Sequence, residues 1–297
     1  MKKTLLFFLP FLALSSVLAQ NEINPVEKEP TPTKRQVDPS LPTLFIVGDS
    51  TVENGNAGHV GWGEPLVSYF DLKKINVVNM AIGGRSSRSY IEEGRWAAVL
   101  SKMKAGDFLL VQFGHNDGGS PSDPKRGDRA TLKGGGDDTV NAVNPKNQQE
   151  VVVHSYGWYM RQYVSDTKAK GATPIVCSLI PRKLWGSEGK IGHSTDYGAW
   201  AQDAAKAAGG LFIDLNGIIA DRYNAMGKEK VDTLFADEHT HTNAAGAEIN
   251  AESVVMGLKG LADNPLASFF SDKGAAVSVA PPIAEAASAP APTASNP

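Results

Sequence analysis

Cysteine is almost missing from this sequence. Among 297 residues there is one, Cys177, so an internal disulfide is excluded. The thiol sits in the apolar run Pro174-Ile175-Val176-Cys177-Ser178-Leu179-Ile180, where a buried structural role fits better than a nucleophile. Charge of one sign is missing too. Twenty-nine Lys and Arg stand against 32 Asp and Glu, for a net charge of −3. Neither nucleic acid nor an anionic membrane surface is indicated as a partner. Internal repeats are absent. Apolar runs long enough to span a bilayer are absent as well, since the longest, residues 5–14, is too short for that.

That short run reads as part of a signal peptide. Lys2 and Lys3 precede it, and Val17-Leu18-Ala19 offers a small-residue cleavage site before Gln20. No cysteine follows, which disfavours a lipoprotein. The expectation is removal of residues 1–19, a secreted or periplasmic protein, and no membrane insertion after cleavage. Residues 20–41 carry Pro25, Pro30, Pro32 and Pro39 and read as a linker. Residues 273–297, rich in Ala, Pro and Ser, read as a disordered tail. Residues 42–272 remain as one domain of ordinary size.

Within 42–272, short apolar runs alternate with longer amphipathic ones. Strands are expected at 43–48, 76–80, 108–113, 174–179 and 211–214. Helices are expected at 64–70, 90–103, 151–169, 197–208, 217–226 and 244–261. This alternation predicts a parallel sheet with helices on both faces, and analogy with doubly wound sheets suggests the order 2-1-3-4-5. The Gly-rich stretch 118–147 shows no periodic pattern and is expected to be functional or mobile.

Polar residues gather where these strands end. Leu44-Phe45-Ile46-Val47 runs into Gly48-Asp49-Ser50-Thr51, and the carboxyl ends of parallel strands are where open α/β sheets bind ligands. Read alone, Gly-Asp-Ser-Thr serves equally as a strand-to-helix turn with an N-cap. The second strand leads into Gly83-Gly84-Arg85-Ser86-Ser87-Arg88-Ser89. This is not Gly-x-Gly-x-x-Gly, so the dinucleotide fingerprint fails, but paired glycines let backbone N–H groups approach a ligand. The third leads into Gly114-His115-Asn116-Asp117, which brings the Asn116 amide to the same edge. Before the last helix stands Asp237-Glu238-His239-Thr240-His241. A serine nucleophile needs a base, and the base needs a carboxylate to orient it; this segment supplies both. The same His-x-His with carboxylates is also a possible zinc site, and a solvated helix cap is the third reading.

Taken in order, Gly48-Asp49-Ser50, Gly84, Gly114-x-Asn116-Asp117 and His241 resemble the four blocks of the SGNH (GDSL-type) hydrolases. Gly84 to Tyr90, Phe113 to Gly119 and His239-Thr240-His241-Thr242 resemble the rhamnogalacturonan acetylesterases more closely still. Gly-x-Ser-x-Gly is missing; Trp185-Gly186-Ser187-Glu188-Gly189 fails it by one position, against an ordinary α/β-hydrolase. The resemblance implies a three-layer α/β/α sandwich of flavodoxin type with a five-stranded parallel sheet. It implies Ser50 as nucleophile, His241 as general base and then acid, and an oxyanion hole from the Ser50 and Gly84 N–H groups and the Asn116 side chain. No metal or organic cofactor is implied. The family's orienting Asp lies three residues before its histidine, and that position holds Glu238, with Asp237 one further back. Register favours Glu238. The implied substrate is an acetylated plant cell-wall polysaccharide or oligosaccharide. Arg85 and Arg88 are candidates for galacturonate carboxylates, Trp62, Trp158 and Trp185 for sugar faces. Acetylxylan, aryl or lipid esters, and an inert carbohydrate-binding protein, are the alternatives.

Overall fold

The computed structural model describes residues 37–280. The expected signal peptide and most of the expected linker and tail lie outside them. Five strands form one parallel sheet: β1 (Thr43–Gly48), β2 (Asn76–Asn79), β3 (Phe108–Gln112), β6 (Thr173–Cys177) and β7 (Leu211–Ile213), in the order β2-β1-β3-β6-β7. In sequence order of the five this is 2-1-3-4-5, as expected. Two further strands, β4 (Thr139–Val143) and β5 (Glu150–His154), make a separate antiparallel hairpin. The helices are α1 (Gly63–Leu66), α2 (Ser87–Glu92), α3 (Arg95–Leu100), α4 (Tyr156–Ala169), α5 (Tyr197–Ala208), α6 (Leu215–Met226), α7 (Lys228–Asp232), α8 (Ala244–Lys259) and α9 (Asp272–Ala276).

Side chains on a strand alternate between faces, and β1 and β3 are buried on both. Leu44, Ile46 and Leu110 pack with Leu66 of α1, Ile219 of α6 and Val254 of α8. Phe45, Val47, Leu109 and Val111 pack on the other side with Tyr90 of α2, Trp96 of α3, Tyr163 of α4 and Ala201 of α5. Two cores flank one sheet, which is the three-layer sandwich. Continuous apolar runs in the central strands are the sequence trace of that double burial. The register pairs Gly48 with Gln112 at the ends of β1 and β3. A Cβ on Gly48 would lie 2.4 Å from Val52 Cγ2 and 2.7 Å from the Gln112 carbonyl, so only glycine lets the chain turn there.

Several expected elements differ. Residues 90–103 form two helices, because Gly94 takes φ +72° between α2 and α3. The helix expected from 151 begins at Tyr156: β-branched Val151, Val152 and Val153 extend in β5, and Ser155 caps α4 by accepting from the Trp158 N–H. The stretch 118–147, expected to lack regular structure, contains β4 and is pinned by Arg161, which donates to the Gly135 and Gly136 carbonyls. Residues 273–280, expected as part of the tail, are ordered. Gly274 packs against Tyr69, Val277 joins the core, and Lys259 Nζ donates to the Ala275 carbonyl at 2.6 Å. On the amino side Asp38 is tied to Asn76 by two hydrogen bonds of 3.0 and 2.8 Å, so the domain begins before residue 42.

Candidate active site

Ser50 follows directly on β1, and a buried polar relay sets the turn beneath it. Trp62 Nε1 donates to Gln112 Oε1 (2.9 Å), Gln112 Nε2 donates to Thr51 Oγ1 (2.8 Å), and Thr51 Oγ1 donates to Asp49 Oδ1 (2.8 Å). The Thr51 backbone N–H reaches the same carboxylate oxygen at 2.9 Å. Every member of the relay is buried, where hydrogen bonds are electrostatically stronger than in water; Asp49 Oδ2 has no partner among the described residues.

His241 comes from the loop between α7 and α8. Backbone bonds hold that loop on both sides: Ala236 N–H to the His241 carbonyl (2.9 Å), and Val60 N–H to the Thr242 carbonyl (2.9 Å). The His241 ring spans two partners, with Nε2 2.8 Å from Ser50 Oγ and Nδ1 2.5 Å from Asp237 Oδ2. The orienting carboxylate is therefore Asp237, which corrects the choice of Glu238 made on register. The cause is local. Asp237 Oδ1 accepts from the backbone N–H groups of His239 (3.1 Å), Thr240 (2.7 Å) and His241 (2.9 Å). That is an Asx-type turn; it curls the chain so that Asp237 faces the ring and Glu238 is exposed. Burial pushes the Asp237 carboxyl up, but the hydrogen bonds from His241 and Thr240 outweigh it and hold it at about 2. With the anion on Nδ1–H, Nε2 is left as an acceptor toward Ser50.

Asn116 and Gly84 complete this side. Asn116 Nδ2 donates to the Arg85 carbonyl (3.1 Å), and its Oδ1 accepts from Arg129 Nη1 (3.3 Å), which fixes the amide. Gly84 has φ +78°. The Gly83 carbonyl accepts from Arg85 Nη1 at 3.0 Å, so the N–H of the same trans peptide, that of Gly84, points the opposite way. Gly83 itself lies against Ser50: a Cβ there would stand 3.5 Å from Ser50 Cβ. Ser50, Gly84, Asn116 and His241 line one open cleft of about 560 Å³, together with Arg126 and Arg182.

Other expectations fall away from the cleft. Arg88 is fully buried, bonded to Glu92 and to the Gly127 and Ala130 carbonyls; it is structural. Arg85 is ion-paired with Glu93. Trp62 is core, Trp158 stacks on His154 at 3.8 Å, and Trp185 packs partly buried against the core. His239 lines the cleft with its Nδ1 on Thr240 Oγ1. The possible metal group also changes membership. Among the described residues it is His59, Asp237 and His241, with ligand atoms within 4.8 Å of one another, and the last two are already hydrogen-bonded to each other. His59, edge-on to His241 with ring centroids 5.5 Å apart, carries no motif in the sequence; nor do Arg126 and Arg182, which stand within unpatterned loops. His115 also lines the cleft, where burial pushes it down to about 4 and keeps it neutral.

The rhamnogalacturonan acetylesterase of Emericella nidulans is 33% identical over 212 residues, covering 71% of this chain and 82% of that protein. A probable rhamnogalacturonan acetylesterase of Bacillus subtilis, YesY, is 30% identical over 225 residues, covering 73% and 93%. The crystal structure of the YxiM protein of Bacillus subtilis superposes with a TM-score of 0.60 at 28% identity, covering 74% of this chain; the chain spans 57% of that structure. Residues 46–249 match the model of the GDSL-like lipase/acylhydrolase family, and the chain belongs to that family, whose fold is the SGNH hydrolase fold.

Proposed function

We propose that this chain is an exported serine esterase that removes acetyl groups from acidic pectic polysaccharide of the rhamnogalacturonan type. The observation that carries the reading is the continuous line Ser50 Oγ, His241 Nε2, His241 Nδ1, Asp237 Oδ2, with contacts of 2.8 and 2.5 Å. The relatives named rhamnogalacturonan acetylesterases support the substrate. Export through residues 1–19 suits a polymer too large to enter a cell.

In this mechanism Ser50 Oγ attacks the acetyl carbonyl carbon while its proton passes to His241 Nε2. The carbonyl π electrons move to oxygen, which the Ser50 and Gly84 N–H groups and Asn116 Nδ2 receive. Each such donor contributes about 3–4 kcal/mol in comparable sites. Collapse expels the sugar oxygen, which takes the proton from His241. Water then attacks the acetyl-serine, giving its proton to His241, and Ser50 recovers that proton as acetate leaves. Asp237 remains an anion throughout and stabilises the imidazolium.

Acetate release from acetylated rhamnogalacturonan, acetylxylan and 4-nitrophenyl acetate tests the reading. Rhamnogalacturonan is expected to be the best polymer, and Ser50→Ala to fold normally and lose nearly all activity. Preference for acetylxylan would overturn the substrate. Residual activity within tenfold in Ser50→Ala would overturn the nucleophile, and an inactive wild type would leave a carbohydrate-binding protein.

A further inference from the structure

Beside the cleft lies a second cavity of about 380 Å³, and the two share His115 and Arg182 in their walls. The rest of the second cavity is mixed in character. Leu184 is an apolar wall, 57% exposed, whereas Ser194 and Asp196 are polar. The Tyr197 hydroxyl, in the same lining, has no hydrogen-bond partner among the described residues. Arg182 stands on the boundary. It is exposed, its Nη2 donates to the His115 carbonyl at a long 3.4 Å, and it makes no ion pair among the described residues. A small acetyl ester needs only the first cavity. A wall shared with a second cavity suits a chain of linked sugars, and an unpaired guanidinium between them suits a carboxylate in bidentate contact.

We propose that the second cavity is a sugar subsite: with an acetylated residue over Ser50, the adjacent residue of the polymer occupies it, and a uronate carboxylate of the bound chain lies against Arg182 on the boundary between the two. The ligand class is an acetylated oligosaccharide containing uronic acid. Leu184 offers the apolar surface that a sugar's C–H face covers. Asp196 is the carboxylate in the lining; it accepts from Ser194 Oγ at 3.0 Å and caps α5 at the Tyr197 N–H. It favours hydroxyls around it and disfavours a second acid, which leaves the anion to Arg182. The proposal builds on the esterase reading and assigns the part of the substrate that does not react.

Gly192 provides the test. It lines the second cavity and not the first, a Cβ there meets nothing within 4 Å, and its φ is not positive, so Gly192→Phe fills the cavity without strain. The readout is the ratio of kcat/KM on acetylated rhamnogalacturonan oligosaccharides to kcat/KM on 4-nitrophenyl acetate, with thermal melting to confirm the fold. The ratio is expected to fall at least fivefold; a smaller fall overturns the subsite. Leu184→Glu, at an exposed position, gives the same readout should Gly192→Phe not fold. Arg182→Gln is expected to lower the preference for acidic over neutral acetylated xylo-oligosaccharides at least fivefold, and equal losses on both overturn the carboxylate assignment. Calorimetric binding of a rhamnogalacturonan oligosaccharide to Ser50→Ala protein decides the matter without turnover. Adding Arg182→Gln weakens that binding at least fivefold if the proposal holds, and leaves it unchanged if it does not. A wild type that hydrolyses 4-nitrophenyl acetate but no oligosaccharide would defeat the polymer-esterase reading, while the binding experiment still judges the subsite.

Discussion

Replacing Asp237 by Asn changes one atom that matters and keeps the others. Asp237 Oδ1 collects three backbone N–H groups at 2.7 to 3.1 Å, and an Asn carbonyl oxygen can keep all three. Oδ2, 2.5 Å from His241 Nδ1, becomes an NH2 group. It then donates to Nδ1, so the ring must carry its hydrogen on Nε2, where it meets Ser50 Oγ as a donor and cannot take the serine proton. The expected result is a folded protein with kcat lowered by about 10⁴-fold, the magnitude found when a triad aspartate is made an amide. Asp237→Ala should instead also loosen the loop: three hydrogen bonds are lost at about 1 kcal/mol each, roughly 3 kcal/mol in all. Glu238→Gln, at an exposed side chain, is expected to stay within about threefold of wild type, since surface changes away from such features are usually small. Steady-state hydrolysis of 4-nitrophenyl acetate with thermal melting on all three variants is the assay. An Asp237→Asn enzyme within tenfold of wild type, or a larger loss from Glu238→Gln, would refute the reasoning.

An imidazole base works only while unprotonated, so kcat/KM should fall on the acid side through one proton, between pH 5 and 9. Asp237, held at about 2, and His115, pushed by burial to about 4, titrate below that range. Asp117, which burial raises to about 7, does titrate within it, so the acid limb must persist in Asp117→Asn; a flat profile counts against a histidine base. Arg88→Ala strips the Gly127 and Ala130 carbonyls of a buried donor and leaves Glu92 unpaired. A buried acceptor left without its donor costs about 1–3 kcal/mol, and Glu92 is exposed enough to be solvated, so the melting temperature should drop through the two carbonyls; an unchanged melting temperature with lost polymer activity would return Arg88 to the substrate. Prolonged dialysis against EDTA should leave activity intact, whereas a loss that zinc restores would give His59, Asp237 and His241 a metal role.

Sequence was most informative where one physical rule acted alone. β1 and β3 are buried on both faces, so unbroken apolar runs gave their positions within a residue. The ends of β1, β2 and β3 read as site because polar residues gather there, beside Gly48, Gly84 and Gly114, which sit where bulk or backbone angle disfavours other residues. Residues 151–154 read as helix in the sequence and are strand in the fold, because periodicity cannot separate a short apolar strand from the first turn of the helix that follows it. The carboxylate was misassigned for a similar reason. Counting from His241 assumes a uniform chain path, and the Asx-type turn at Asp237 breaks that assumption by one residue. Arg182 and His59 carry no signal, since only the folded chain brings Arg182 to the cleft and His59 to the edge of the His241 ring.

The clasp between Val60 and Thr242 has a consequence for biogenesis. Thr242 donates through Oγ1 to the Val60 carbonyl at 2.9 Å and accepts the Val60 N–H at its own carbonyl at 2.9 Å. This contact closes a loop of 182 residues, and the Ser50–His241 contact beside it spans 191. Closing so long a loop carries an entropic cost that neighbouring contacts must first offset. During synthesis from the amino end, Ser50 emerges long before the segment that bears His241. A nascent or truncated chain ending before residue 241 thus carries its serine in an unactivated state, and hydrolytic competence arrives only with the last quarter of the domain.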